Sequence, residues 1–260
     1  MDVPGAVGTT PLDASLVAVR SGGDEIEAYL ARPQGNGPRP GIIVIHEAFG
    51  PVEHIFDVTR RFAAAGYDAI APNLYSREGA PDPNDMGSVM PKMLSLPDAH
   101  VVADLEASAA TLRGLDSSNG AVGCIGFCSG GRQTLLFACS SGAVDAAVDC
   151  WGGFIDRGTP DAATTPARPT PVLDLIGGLG CPLLAIGGEE DQNPAPAVLA
   201  DLLARANAAG KDDVTVHVYG GAGHAFFADY RPSYRAEQAF QLWDEVGEFF
   251  GRHLGAASGG

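Results

Sequence analysis

A cysteine between two glycines is the strongest chemical signal in the sequence. An apolar run, AVGCIGF, ends directly before Cys128, and Gly126 and Gly130 lie two positions to either side. A glycine-x-nucleophile-x-glycine turn joins a strand to a helix so tightly that a Cβ at either flanking position would clash. The helix N-terminus favours a thiolate and a developing oxyanion. Cys128 is therefore predicted to be a nucleophile; the alternative is a core cysteine in a glycine-rich turn.

A carboxylate and a histidine follow this cysteine in the order of a catalytic triad. His224 lies in GGAGHAFF, a short glycine loop after a predicted strand, and is the predicted base. The preceding strand ends in GGEEDQNPAP, where Asp191 is the predicted orienting acid and Glu190 the second choice. Asp191 is preferred because Pro194 and Pro196 can start the next helix and leave the acid on the loop. A solvated turn carboxylate is the alternative.

The segment HEAFG ends a buried β-branched run, GIIVIH. Burial of Glu47 is costly unless the carboxylate has a partner, and the thiol of the predicted nucleophile is one candidate. The backbone N–H groups of Ala48 and Ser129 are predicted to form an oxyanion hole. The next histidine is His54, so the segment is not an H-E-x-x-H zinc motif. No Cys/His pair has zinc spacing and no phosphate-binding glycine loop is present, so neither metal nor cofactor is predicted.

The elements that must position these residues alternate between strands and helices. LVAVR and EIEAYLAR, separated by SGGD, are predicted to form an antiparallel hairpin at one edge of a sheet. Strand-like runs then alternate with helical segments, which implies right-handed crossovers and a mostly parallel sheet of about eight strands with helices on both faces. The helices are predicted at about 53–65, 99–113, 131–140, 196–210 and 233–253.

Two segments rich in proline, glycine and aspartate interrupt this alternation. Residues 76–98 and 156–180 each follow a predicted strand, so they should lie over the carboxyl edge of the sheet, where α/β sites form. The first is predicted to cap a pocket and the second to be a variable insertion. We expect one domain over residues 15–254, preceded by a flexible leader at 1–14 and followed by a flexible tail at 255–260.

The composition narrows the function classes. Of the 260 residues, 16 are basic and 32 acidic, giving a net charge of −16, which argues against binding to nucleic acid or anionic lipid. The sequence has no signal-peptide pattern and no apolar run of about 18 residues, so a cytoplasmic protein is predicted. Its five cysteines are expected to be mostly core residues. With only two lysines, an isolated arginine in a cleft would be the main attraction for an anionic substrate.

In combination, these motifs resemble the dienelactone hydrolase family (carboxymethylenebutenolidases), a cysteine branch of the α/β-hydrolases. The resemblance covers roughly residues 15–254 and depends on five segments. They are HEAFG, APNLYSR at 71–77, GFCSGG at 126–131, the turn at Asp191, and GAGHAFF at 221–227.

The resemblance implies a catalytic triad of Cys128, Asp191 and His224. It also implies that Glu47 contacts the resting thiol and helps to form the thiolate once substrate is bound. In the family, attack on a lactone carbonyl opens the ring of 4-carboxymethylenebut-2-en-4-olide, and hydrolysis of the acyl-enzyme releases maleylacetate. The expected partner is therefore a small lactone or ester, anionic or neutral, and the expected assembly is a monomer or small homo-oligomer.

The resemblance further implies that Arg77 binds a substrate carboxylate and that Phe49 forms an apolar pocket wall; Trp151 is assigned to substrate binding as well. The family's lactonase has a second arginine four residues after the catalytic histidine, where this sequence has Ala228, and Arg231 lies three residues further on. This difference leaves open a general carboxylesterase or thioesterase acting on neutral esters. A redox-sensing or binding protein with a reactive cysteine is the alternative from another class.

Overall fold

The framework of the protein, in a computed structural model that describes residues 3–35, 37–156 and 164–255, is an eight-stranded sheet. Its strands are β1 (Leu12–Ser21), β2 (Asp24–Pro33), β3 (Arg39–Ile45), β4 (Asp68–Pro72), β5 (Ser118–Phe127), β6 (Ala146–Cys150), β7 (Leu183–Gly188) and β8 (Val214–Tyr219). The spatial order is β1-β2-β4-β3-β5-β6-β7-β8. β1 and β2 form an antiparallel hairpin, β2 pairs antiparallel with β4, and the other pairs are parallel. The predicted edge hairpin and mostly parallel sheet are confirmed.

Helices cover both faces of the sheet. They are α1 (Glu53–Ala64), α2 (Met86–Ser95), α3 (Asp98–Arg113), α4 (Ser129–Ser140), α5 (Pro196–Ala208) and α6 (Ala236–Leu254), with a 3-10 helix at Val172–Gly178. The side chains of α3, α4 and α5 share one buried cluster with one face of the sheet, and those of α1 and α6 share another with the opposite face.

The central strand β3 shows why the sheet needs cover on both sides. Ile43 and Ile45 belong to the α3–α4 cluster, whereas Ile42 and Val44 belong to the α1–α6 cluster, and all four are fully buried. Successive strand residues point to opposite faces, so a continuous apolar run can be satisfied only by two covered faces. The same geometry brings the carboxyl ends of the parallel strands to one edge of the sheet.

The two irregular segments contain more structure than the sequence analysis expected. Within 76–98, the Asp85 side chain accepts a hydrogen bond from the Gly87 N–H (3.0 Å) and thereby caps α2. Within 156–180, a 3-10 helix follows the described residues 164–171, while residues 157–163 lie outside the described part. Both segments carry residues that reach the site.

The N-terminal segment is more closely packed than a flexible leader. The last three residues of the predicted leader belong to β1. Pro4 is buried, its carbonyl accepts a hydrogen bond from Arg61 (3.3 Å), and a Cβ added to Gly5 would lie 2.3 Å from the ring of Trp243. Residues 256–260 of the predicted tail lie outside the described part. Within the described ranges, no helix is long and apolar enough to cross a membrane.

Candidate active site

Cys128 occupies a strained turn between β5 and α4. β5 ends at Phe127, α4 begins at Ser129, and Cys128 between them has φ 56° and ψ −117°. A residue other than glycine rarely adopts a positive φ. Such backbone strain persists only where the surrounding structure enforces it. Here the Cys128 N–H donates to the Cys150 carbonyl (3.0 Å) and the Cys128 carbonyl accepts from the Gly131 N–H (3.0 Å). The turn therefore holds the thiol at the carboxyl edge of the sheet.

The two glycines of the motif are required by close backbone contacts. A Cβ added to Gly126 would lie 2.0 Å from the Gly130 carbonyl oxygen, and one added to Gly130 would lie 2.3 Å from the Ile45 carbonyl oxygen. Both distances are far below any allowed contact, and both involve backbone atoms that cannot rotate away. The spacing of the glycines thus has the steric cause that the sequence indicated.

Asp191 lies on the loop after β7, and His224 lies on the loop after the adjacent strand β8. Their side chains meet at the carboxyl edge of the sheet. The His224 Nδ1 lies 2.8 Å from the Asp191 Oδ2. The other carboxylate oxygen of Asp191 accepts from the Asn193 N–H (2.9 Å), and its own N–H donates to the Gly188 carbonyl (3.2 Å). These bonds fix the carboxylate, which orients the imidazole and leaves Nε2 free to act on Cys128.

The environment of His224 favours its protonated form. Burial alone lowers the pKa of His224, but hydrogen bonds with Asp191 and Cys128 outweigh that effect and raise the pKa to about 10. An imidazolium held beside the sulfur stabilises a thiolate and can later donate a proton to a leaving group.

Two backbone N–H groups are available beside the thiol. Ala48 and Ser129 line the same cavity as Cys128, and in the described part of the chain neither N–H donates a hydrogen bond. Ser129 is the first residue of α4, where the helix leaves its N–H groups unpaired. Two unpaired donors next to a nucleophile can stabilise an oxyanion.

The buried carboxylate of Glu47 has partners other than the sulfur. Arg231 Nη2 donates to its Oε2 (3.0 Å), and the Tyr230 hydroxyl lies 3.3 Å from the same oxygen. Burial raises the pKa of Glu47, and the charge of Arg231 opposes that rise. The expected contact between Glu47 and the thiol of Cys128 is therefore replaced here by an ion pair with Arg231.

These residues surround a cavity of about 390 Å³, a size suited to a small molecule. The cavity has mostly apolar walls, of which α2 supplies one. Its lining includes Ala48, Phe49, Met86, Val89, Met90, Met93, Cys128, Ser129, Arg132, Arg168, Asp191, His224 and Arg231. Phe49 thus lies where the resemblance implied.

Arg77 lies away from this cavity and has a structural role instead of the expected one. Its Nη1 donates to both carboxylate oxygens of Asp104 (2.9 and 2.8 Å), its Nε donates to Asp24 (2.7 Å), and its Nη2 donates to the Ser21 carbonyl (3.3 Å). Asp104 is fully buried and needs a charged partner. The assignment of Arg77 to substrate binding is therefore corrected: its guanidinium neutralises Asp104.

Trp151 also differs from its assignment. It directly follows β6 with φ 46° and is 1% exposed. Its ring packs against Phe226 (4.7 Å between centroids) and Phe127 (5.9 Å), and it meets the His224 ring edge-on (6.5 Å). Trp151 is not among the cavity residues; its ring is buried in the core and contacts the ring of His224.

Sequence reasoning missed two groups of cavity residues. The first is the methionine face of α2, whose signal is the spacing of Met86, Met90 and Met93 by four and three positions after the capping aspartate. The second is a pair of buried arginines, Arg132 and Arg168, which are 1% and 2% exposed. Arg168 lies in TPARPTP, within the segment that was expected to be a variable insertion.

Comparison with known proteins places the chain in one family. The model of the dienelactone hydrolase family matches residues 26–254. A protein of Escherichia coli (strain K12) named "Putative carboxymethylenebutenolidase" is 41% identical over 261 residues, covering 96% of this chain and 92% of that protein. A protein of the same name from Methylorubrum extorquens is 40% identical over 235 residues, covering 89% of this chain and 78% of that protein.

Solved structures agree on the fold. A crystal structure titled as a "Putative Dienelactone Hydrolase" from Klebsiella pneumoniae has a TM-score of 0.85 and 33% identity, covering 93% of this chain and 99% of that chain. A cold-adapted esterase from an Arctic intertidal metagenomic library has a TM-score of 0.70 at 15% identity, covering 98% and 100% of the two chains. The latter similarity concerns the fold alone.

Proposed function

The chain belongs to the dienelactone hydrolase family of the α/β-hydrolase superfamily and is a hydrolase, and from this premise we propose that it cleaves an ester or lactone bond through an acyl thioester on Cys128. The observation that carries the proposal is the strained turn that presents Cys128 beside the Asp191–His224 pair. Neither a core cysteine nor a redox sensor requires this arrangement.

In the first half-reaction, the thiol proton is already held by His224 as an imidazolium, and the thiolate of Cys128 attacks the carbonyl carbon of the substrate. The carbonyl electron pair moves to oxygen, which accepts hydrogen bonds from the N–H groups of Ala48 and Ser129. One such donor typically lowers the barrier by about 3 kcal/mol. The intermediate then collapses, the bond to the leaving oxygen breaks, and His224 returns the proton to that oxygen. In a lactone the leaving oxygen stays attached, so the ring opens.

In the second half-reaction, water gives a proton to His224 and attacks the thioester carbonyl. The same two N–H groups stabilise the second oxyanion, and the bond between sulfur and carbon breaks. The released thiolate regains its proton from His224, and the carboxylic acid product leaves. Asp191 holds the imidazole in the tautomer that both proton transfers need.

Activation of the thiol by Glu47 is part of this proposal. In the present arrangement the Glu47 carboxylate is paired with Arg231. Activation therefore requires that this ion pair break when substrate enters and that the carboxylate contact the thiol of Cys128 instead. The raised pKa of the buried carboxylate supports the idea, since such a carboxylate can accept the thiol proton transiently before His224 holds it.

The intracellular setting of this chemistry is proposed from the cysteines. All five are free thiols, as expected in a reducing compartment. We accordingly assign the enzyme to the cytoplasm, acting on a small molecule as a monomer or small homo-oligomer.

Replacement of the nucleophile tests the proposal. Cys128→Ala is expected to lower the turnover of a p-nitrophenyl ester by at least ~10³-fold while leaving the circular dichroism spectrum unchanged. Cys128→Ser should keep a small fraction of the activity, because a hydroxyl is a much weaker acid than a thiol.

Cys181→Ala is the matched control, since Cys181 is a half-buried thiol that does not line the cavity, and its replacement should leave turnover unchanged. Mass spectrometry of the wild-type enzyme mixed with a slow ester should show one acyl group on Cys128. Unchanged turnover in a folded Cys128→Ala protein would refute the mechanism.

A further inference from the structure

The segment that supplies the Ala48 N–H begins with a buried histidine. His46 directly follows β3 and is 2% exposed. Its carbonyl oxygen lies against the turn that holds Cys128, since a Cβ added to Gly130 would come within 2.7 Å of that oxygen. The two chain segments that supply the proposed oxyanion donors are thus packed against each other through backbone atoms.

Both ring nitrogens of His46 are hydrogen-bonded, and the bonds define its tautomer. Nε2 lies 3.2 Å from the backbone nitrogen of Leu74, which can only donate, so Nε2 is the acceptor. Nδ1 therefore carries the proton and donates to the Glu47 carbonyl oxygen (2.7 Å). Burial lowers the pKa of His46 to about 4, against the opposing effect of backbone hydrogen bonds with Glu47 and with His46 itself. The imidazole is thus uncharged at neutral pH, with one donor and one acceptor, as these two bonds require.

The bond from His46 fixes the orientation of one peptide group. The Glu47 carbonyl and the Ala48 N–H belong to the same planar, trans peptide, so they point in opposite directions. The carbonyl faces the ring of His46, and it also accepts from the Gly50 N–H (3.1 Å). The Ala48 N–H consequently points away from His46, and among the described residues it has no hydrogen-bond acceptor. A flip of this peptide would replace the N–H by a carbonyl oxygen, which repels an oxyanion.

A tyrosine fixes the next peptide group in a similar way. The Tyr75 hydroxyl donates to the Ala48 carbonyl (3.0 Å), and its ring stacks on that of His46 (5.2 Å between centroids). Burial raises the pKa of Tyr75, so the hydroxyl keeps the proton that it donates. Leu74 and Tyr75 are neighbours in the chain, so one short segment after β4 supports both His46 and Ala48. Each peptide group to which Ala48 contributes is thus held by a side-chain hydrogen bond.

The hydrogen bonds of His46 also form a chain that ends at the Ala48 N–H. The Leu74 N–H donates to the imidazole, and the imidazole donates to the Glu47 carbonyl. A carbonyl that accepts a hydrogen bond makes the N–H of its own peptide more positive, because bonds in a chain polarise one another. His46 is not among the cavity residues, yet through this peptide it can act on negative charge that develops inside the cavity.

We propose that His46 is a positioning residue for the oxyanion hole: its neutral imidazole orients and polarises the Glu47–Ala48 peptide so that the Ala48 N–H stabilises the oxyanion of both half-reactions. Tyr75 supports the same segment through the Ala48 carbonyl. This inference rests on the proposed hydrolase function and adds the residue that preorganises one of its two backbone donors.

Loss of the imidazole tests the inference. His46→Leu removes both hydrogen bonds and is expected to lower kcat for p-nitrophenyl hexanoate about 10–100-fold. KM should change less than about twofold, because the same N–H serves both half-reactions. His46→Gln, whose amide keeps a donor and an acceptor, should recover kcat to within about threefold of wild type.

His217→Leu is the matched control for a lost histidine. His217 also stacks on a tyrosine, Tyr219 (4.1 Å between centroids), but its Nδ1 is bonded to the Glu245 carboxylate and not to a peptide of the site. This variant should leave kcat unchanged, so a loss confined to His46→Leu belongs to the oxyanion segment.

Two measurements separate the oxyanion hole from the nucleophile. The thiolate of Cys128 adds to the carbonyl carbon of pentyl trifluoromethyl ketone, whose carbonyl electron pair becomes an oxyanion, whereas methyl pentyl ketone forms no stable adduct. His46→Leu should raise the inhibition constant of the first ketone at least ~10-fold and that of the second less than about twofold. Iodoacetamide alkylates Cys128 by displacement of iodide at a saturated carbon, without an oxyanion. The alkylation rate, followed by peptide mass spectrometry, should therefore change less than about twofold.

The outcomes differ from those that bear on the proposed function. Unchanged kcat in a folded His46→Leu protein, or a loss that His46→Gln does not recover, would overturn the role of His46. A fall in alkylation parallel to the fall in kcat would do the same, because the imidazole would then act on the thiol.

A milder variant covers the case in which His46→Leu does not fold. Tyr75→Phe deletes only the oxygen that bonds the Ala48 carbonyl, and kcat should fall about 3–10-fold while alkylation of Cys128 stays unchanged. Wild-type kcat in Tyr75→Phe would then count against the inference. Turnover by Cys128→Ala would instead contradict the hydrolase mechanism itself.

Discussion

At the scale of single residues, the proposed chemistry depends on one proton held between the sulfur of Cys128 and the imidazole of His224. Asp191 holds His224 from one side and Cys128 lies on the other, and these two hydrogen bonds raise the pKa of the imidazole to about 10 in spite of its burial. The consequence for catalysis is that His224 carries a proton that it can donate to a leaving group at neutral pH.

The same shift has a consequence for stability. The folded-state pKa of His224, about 10, lies above the ordinary value of 6.5, so its protonation stabilises the folded protein below pH ~6.5, and this contribution is lost as the pH rises through about 10. We expect the difference in unfolding free energy between wild type and His224→Gln to be largest near pH ~6 and to shrink by pH ~10.5. Urea unfolding of both proteins across this range measures it. Lysines and tyrosines titrate in both proteins and cancel, so a difference that stays constant with pH would contradict the assigned shift.

At the scale of elements, the turn between β5 and α4 decides the position of Cys128, the proposed nucleophile. The helix packs so closely on the sheet that Gly130 lies against the backbone of β3, and the neighbouring Gly131 would place a Cβ 2.3 Å from the Asp149 carboxylate. Such packing leaves no room for adjustment, which is why the strained φ of Cys128 persists.

A methyl group at this joint should be costly. Gly130→Ala is expected to lower the unfolding free energy by about 3 kcal/mol and the turnover by about 10²-fold, because β3 and α4 must separate and a shift of ~1 Å misplaces the thiol. Gly247 is exposed and lies in the middle of α6, where an added Cβ would meet nothing within 4 Å. Gly247→Ala should therefore raise the unfolding free energy by about 0.5–1 kcal/mol. Chemical denaturation and ester turnover of both variants test this contrast; equal effects of the two substitutions would show that the contact at Gly130 is not decisive.

At the scale of the whole molecule, the N-terminal segment connects the first strand to α1 and to α6, the last helix. Pro4 is buried and accepts a hydrogen bond from Arg61 of α1, and Gly5 lies against Trp243 of α6. None of these residues lines the site cavity, so they contribute to stability and not to chemistry.

Removal of this segment should separate the two properties. Deletion of residues 1–8 is expected to lower the stability by about 1–2 kcal/mol and the melting temperature by about 2–8 °C, because a buried residue and a hydrogen bond are lost. The kcat for a p-nitrophenyl ester should stay unchanged. Thr9→Ala, which changes an exposed residue of the same segment, serves as the control and should alter neither value. A melting temperature unchanged by the deletion would mean that the packing of Pro4 and Gly5 adds nothing.

The sequence by itself was sufficient for the features that depend on local geometry. A nucleophile between Gly126 and Gly130 predicts a tight strand-to-helix turn, and the alternation of runs such as GIIVIH with helical segments predicts the parallel sheet. The parallel sheet in turn places loops such as that of His224 at one edge. These inferences succeed because the turn motif and the strand periodicity involve residues close in sequence, although the contact of Gly130 with Ile45 comes from the tertiary structure.

Only the tertiary structure decided which arginines line the cavity beside Cys128: Arg132, Arg168 and Arg231 do so, and Arg77 does not. Arg77 pairs with Asp24 and Asp104, which lie 53 and 27 positions away, and Arg168 reaches Met93 across 75 positions. A guanidinium on a long side chain binds whichever carboxylate or carbonyl the fold brings near it, and burial decides whether its charge stays unpaired. Neither property is encoded in the neighbours of an arginine along the chain.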